Sequence, residues 1–167
     1  MSYSNLIAAW NAPTTPPAGV TGASLAGLAT AAKIAAVNGW TVAGPAKDVS
    51  ASSVLGYLAL QGKLSMLQIY AAGAPTTGRS AAQVAACELV ALFTLPSFTG
   101  FQMSNPAVYA ACGGFLSALT LDAVSGIVAA DVTNILALAA TTAPWWESAG
   151  LSSPISAADL DAAGGLT

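Results

Sequence analysis

Apolar runs dominate this sequence, and each is cut short by a capping residue, a glycine or a proline. Residues 104–146 show the pattern in full. Ser104 or Asn105 can cap a helix, and Pro106 sits in the first turn, where its missing N–H costs nothing. Val108, Cys112, Phe115 and Leu119 then recur at helical spacing. Ser125–Gly126 turns the chain, and Val132, Ile135, Leu136 and Ala139 form a returning face that ends at Trp145 and Trp146. Asp131 falls in the first turn of that returning helix, where its charge suits the positive end of the dipole.

The same punctuation runs along the rest of the chain. A short helical opener over 4–10 puts Leu6, Ile7 and Trp10 on one face, and the Pro/Gly-rich residues 11–22 form a loop. Ser24 caps a helix running to about Val37, with a stripe of Leu25, Leu28, Ala32 and Ala35 and a stop at Asn38–Gly39. Residues 40–42 are extended. Ser50 starts the next helix, with Val49, Val54, Leu55 and Leu58 inward. Gly62 either ends that helix or kinks it into residues 63–72, which carry Leu64, Leu67 and Tyr70. Residues 80–94 are apolar over most of the helix circumference, through Val84, Cys87, Leu89, Val90, Leu92 and Phe93, and such a helix belongs at the centre of a bundle. Phe98 and Phe101 plug the core from the following connector. A capping box at Ser156 and Asp159 opens the last piece, which Gly164–Gly165 stops.

The expectation is an all-α, compact single domain over residues 1–167: a bundle of six to eight short helices with Pro/Gly-rich loops. The 104–146 hairpin packs against the 80–94 helix, and 154–167 is a C-terminal tail able to contact a partner.

Composition narrows the function. Only 7% of the 167 residues are charged, against about 25% in a typical soluble domain. An interface patch of about 800 Å² would therefore hold only one or two charges, and interface cores are depleted in charge in this way. An ordinary domain solvated by its Ser and Thr residues is the plainer alternative. Four scattered cations and a pI near 4.3 give phosphates no electrostatic footprint, which excludes direct nucleic-acid binding. The mean hydropathy of +0.68 comes largely from alanine, and no run reaches the roughly 20 apolar residues of a membrane span. The start of the chain lacks a basic segment followed by an apolar core, so the expectation is synthesis in the cytoplasm.

Reaction chemistry finds little footing. Histidine is absent, removing the usual general base, the common triads and the commonest metal ligand. Cys87 and Cys112 fall on apolar faces without neighbouring cations and read as small hydrophobes, the alternative being a redox pair. Asp48, Asp131 and Asp159 stand at helix starts, where capping accounts for them. No residue set calls for a catalytic role, a metal or a cofactor. The adjacent tryptophans cannot both face one way, so one of Trp145 and Trp146 is expected as a core anchor and the other as a partner contact, the alternative being that both are buried within one fold. With them go Leu151, Ile155, Leu160 and Leu166 of the small-residue tail, which has little to hold it at home.

Residues 119–146, with an apolar residue, Asp, a turn, Ile-Val-Ala-Ala-Asp and then Leu-Ala-Leu-Ala-Ala before Pro-Trp-Trp, resemble small alanine-rich helical proteins encoded among the virion genes of tailed bacteriophages. Residues 48–64, DVSASSVLGYLALQGKL, are similar. The resemblance implies a non-enzymatic structural protein of the virion, of decoration, neck, collar or tail-associated type. Its expected partners are other virion proteins and further copies of itself, and its location is the particle, assembled in the host cytoplasm. The rival reading is a membrane-active helical protein that conceals its apolar central helix until it meets a bilayer.

Overall fold

The structure, a computed structural model, describes residue 8, residue 10 and residues 16–162. Leu6, Ile7, Leu166 and the Gly164–Gly165 stop lie outside the described residues. In chain order the elements over residues 16–162 begin with β1 (Val20–Thr21), α1 (Thr30–Asn38), β2 (Thr41–Ala43), β3 (Val49–Ser50) and α2 (Ala51–Leu60). Next come α3 (Lys63–Ala72), α4 (Ala81–Thr94), β4 (Gly100–Phe101) and α5 (Pro106–Leu119). A 3-10 turn (Ala123–Ser125) leads to α6 (Ala129–Ala137), β5 (Thr142–Pro144), α7 (Trp145–Ser148) and α8 (Ala157–Ala162).

The fold is helix-rich, but the all-α expectation needs correcting: two small antiparallel sheets are present, ordered β1-β2-β5 and β3-β4. Their strands are only two or three residues long and pair across large sequence separations, Thr41 with Pro144 for instance. So short a strand carries no readable alternation, and β1 falls inside the expected 11–22 loop. The extended stretch expected at 40–42 is present as β2.

Contacts divide the chain into two compact units, residues up to Gly44 with those from Thr141 onward, and Pro45–Ala140. The first is built from two chain segments. Its core holds Trp10, Leu25, Val37, Trp40, Trp145, Ala149, Leu151, Ile155 and Leu160. Trp40 stacks edge-on against Trp145 with centroids 5.5 Å apart, and its indole N–H donates to the Ala23 carbonyl at 2.9 Å. Gly22 lies flat on that ring: a Cβ there would stand 1.9 Å from Trp40 Cδ1. Asn38 clamps the C-terminal segment, accepting from Ile155 N–H at 2.7 Å and donating to Ile155 C=O at 2.9 Å. The helix expected after Ser24 begins only at Thr30. Gly27, at φ +72°, breaks the segment, and Ser24 accepts from Ala26 N–H in a local turn. The expected stripe holds only in part: Leu25 is buried and Leu28 half-buried, but Ala32 and Ala35 are exposed and Val37 is the residue α1 buries.

The second unit is a continuous stretch of helices. Ser50 caps α2, accepting from Ser53 N–H, and Gly62, at φ +67°, separates α2 from α3. Ser80 and Gln83 form a capping box on α4, and Asn105, with Pro106 at the first position, caps α5. As expected, α5 packs on α4 and α6 returns along α5. Yet α4 turns alanines inward: Ala82, Ala85 and Ala86 are buried with Leu89, whereas Val84 is exposed. Neighbours α3 and α5 both pack against α4, and small side chains let helix backbones approach closely. Of the acids expected to cap, Asp131 and Asp159 do so, through Val128 N–H and Ser156 N–H. Asp48 instead reaches across to Ser104, accepting from its N–H and hydroxyl.

Candidate functional site

Trp145, Leu151, Ile155 and Leu160, singled out as partner contacts, are buried in the first unit's own core, and Trp146 is half-buried against it. The structure therefore keeps residues 151–160 at home, through three apolar anchors and the Asn38 clamp. The unpartnered apolar surface lies elsewhere, in the Pro45–Ala140 unit.

There the loop between α5 and α6, residues 120–128, is held down at several points while showing apolar side chains to solvent. Asp122 caps the 3-10 turn through Val124 N–H at 3.0 Å and accepts from the Tyr70 hydroxyl at 2.7 Å. Ser125 is fully buried, donating to Leu119 C=O at 2.7 Å and accepting from Ile127 N–H at 3.1 Å. Gly126, at φ +74°, packs so closely on Met66 that a Cβ would sit 2.7 Å from its Cε. The Lys63 ammonium donates to Gly126 C=O at 2.6 Å, and Ile127 is buried. With Ser125 and Ile127 inward, Leu121, Val124 and Val128 point outward.

Exposure reaches 75% for Leu121, 70% for Val124 and, on α3, 73% for Ile69. Ile69 and Val124 line one shallow depression of about 360 Å³ with Tyr70, Gly73, Gln83 and Asp122. Met66, also exposed, packs on Gly126 of the same loop. An isolated exposed aliphatic is ordinary, but neighbouring ones on a pinned loop and helix form the kind of patch that marks an interaction site. Burying each would gain roughly 1.5–3 kcal/mol.

Beside the loop a polar network gathers on one buried carboxylate, that of Asp131. Asp131 meets Lys63 at 3.3 Å, accepts from Tyr57 OH at 2.9 Å and from Val128 N–H at 2.9 Å, and Asn134 donates to the Tyr57 oxygen at 3.1 Å. Burial pushes the Asp131 carboxyl up, but the Val128, Tyr57 and Lys63 hydrogen bonds and the Lys63 charge outweigh it, leaving its pKa below the ordinary value. Asp122 is lowered by the Tyr70 hydrogen bond and then by Val124 N–H. Tyr70 is raised by burial and by Asp122. Burial raises the Cys112 thiol, which disfavours the thiolate. Cys87 and Cys112 are free thiols, half-buried and buried.

These carboxylates are thus occupied by donors that fix the fold. Among the described residues no three His, Cys, Asp or Glu side chains converge as a metal site, and no helix is long and apolar enough to cross a membrane. No protein-family model, curated protein or solved structure matches this chain.

The sequence reading missed Ile69, Leu121, Val124 and Val128 as surface residues. One signal was present: residues 121–128, LDAVSGIV, carry more large apolar side chains than a reversal needs.

Proposed function

We propose that this protein is a non-enzymatic structural component that assembles with neighbouring protein subunits through the apolar face formed by α3 and the 120–128 loop. The observation that carries the reading is that loop: Ser125, Gly126 and Asp122 hold it rigidly in a form that leaves Leu121 and Val124 in water. A loop selected only to reverse the chain has no use for such side chains at its outward positions. The low charge of the whole chain is compatible with close packing on several sides.

Within this reading the setting is a tailed-phage virion, the protein being of decoration, neck, collar or tail-associated type. Its partners are other virion proteins and further copies of itself, brought together in the host cytoplasm. Support for the setting comes from the helix punctuation of residues 119–146 and 48–64, and for the mode of action from the exposed face.

Absolute mass by light scattering over a sizing column tests the proposal, with the Ile69→Asp, Val124→Asp double variant alongside. The expected result is a discrete oligomer that the double variant disperses while its circular dichroism is unchanged. A monomer at all concentrations, together with co-sedimentation of the protein with lipid vesicles, would overturn it in favour of a membrane-active role.

A further inference from the structure

A second surface, independent of the α3 face, lies between α4 and α5. It is a cleft of about 320 Å³ lined by Glu88 and Leu92 from α4, Phe101 from β4, and Val108, Cys112 and Phe115 from α5. That volume is at the lower end for small-molecule sites. An apolar void of about 10 Å³ shares Phe101, Cys112 and Phe115 with it, so these rings border free space on their inner side as well.

The lining has a one-sided chemistry. Apart from the thiol, its side chains offer no hydrogen-bond donor, so an anionic or hydroxyl-rich ligand would leave buried polar atoms unpaired. Its one charged group is the Glu88 carboxylate. Glu88 is exposed and has neither a hydrogen bond nor an ion pair among the described residues. The other acids with strong local roles, Asp48, Asp122 and Asp131, are all engaged by donors. A lone carboxylate beside two phenylalanine rings and aliphatic walls complements a cation on an apolar stem, since both the carboxylate and ring faces attract positive charge.

We propose that this cleft binds a small alkylammonium amphiphile, with the apolar stem against Leu92, Val108 and Phe115 and the cationic head at Glu88. The test titrates the full-length protein with hexyltrimethylammonium, 1-hexanol and hexanoate, following backbone amide shifts on α4 and α5 by NMR. The ammonium compound is expected to bind roughly tenfold more tightly than the alcohol, and hexanoate more weakly than either. Glu88→Gln should bring the ammonium compound down to the level of the alcohol. Ala111→Trp, at an exposed α5 position lining the cleft, should abolish the shifts for all three. Equal binding of ammonium and alcohol by the unaltered protein would overturn the proposal. So would shifts confined to the Ile69–Val124 face, or binding that survives Ala111→Trp.

Discussion

The two units of this chain solve the same problem with different side chains at their centres. The unit formed by the chain's two ends gathers all four tryptophans, three buried and one half-buried, around Leu25, Val37 and Ile155. The Pro45–Ala140 unit contains none: it buries mostly alanines, leucines and valines with Tyr70, and its phenylalanines, three of them in edge contact, are only half-buried. The reason lies in connectivity. Helices that follow one another through short turns can pack backbone to backbone, and alanine lets them do so at high density. Two segments separated by all of residues 45–140 have no such local help. They need large rings with much area each, the three-stranded sheet, and a side-chain clamp such as Asn38 on Ile155. Polar support differs correspondingly: amide and indole hydrogen bonds in one unit, a buried ion pair in the other.

Gly44 N–H donates to Thr141 C=O and Lys47 N–H to Ala139 C=O, each at 2.9 Å. The largest test of the contrast is therefore Trp40→Ala. Loss of the buried indole, its stacking on Trp145 and its bond to Ala23 should cost about 3–5 kcal/mol. Near-UV dichroism of the tryptophans should collapse while most far-UV helical signal, carried by residues 45–140, survives at moderate denaturant. Loss of both signals in one transition would show that the two cores melt as one.

Next in size is Asp131→Ala, which strips Lys63, Tyr57 OH and Val128 N–H of a shared acceptor. Losing one partner of a buried pair costs about 3–5 kcal/mol; Lys63 retains some access to water, so about 3 kcal/mol is expected in urea unfolding. The sign with pH follows from the lowered carboxyl pKa. The native state binds this proton less readily than the unfolded chain, so the stabilisation is fully present above the unfolded value of about 3.9 and is lost as pH falls through the lower native value. The gap between wild type and Asp131→Ala should narrow below about pH 4. A gap that persists unchanged into strong acid would mean that the carboxylate charge is not what the network uses.

Helix starts were readable because each depends on one or two neighbouring residues: Ser50, Ser80, and Asn105 with Pro106 all cap where the sequence places them. Gly27 defeated the reading at Ser24, since a left-handed glycine three residues after a serviceable cap ends the turn it would have begun. Strands of two residues, whose partners are set by tertiary approach, left no local trace. Asp131 was legible as a first-turn acid, but its pairing with Lys63, 68 positions away, was not. The tail misled for a related reason. Leu151, Ile155 and Leu160 are sparse along the sequence, and only the aromatic cluster assembled from the other chain end gives them somewhere to go.

The inward face of α4 offers the finest test of the contrast between a core centred on tryptophans and one whose central helix turns alanines inward. Periodicity put Val84 inside; the structure puts Ala85 and Ala86 inside and leaves Val84 at the surface. If alanine is there because α3 and α5 approach too closely for anything larger, Ala85→Val should destabilise by about 1–3 kcal/mol through overpacking, although it adds apolar area. Val84→Ala, a loss of apolar volume, should change stability by less than about 0.5 kcal/mol. Urea unfolding of the two single variants separates the cases. A costly Val84→Ala with a neutral Ala85→Val would restore the face that periodicity chose, and with it a looser helix core that valine could fill.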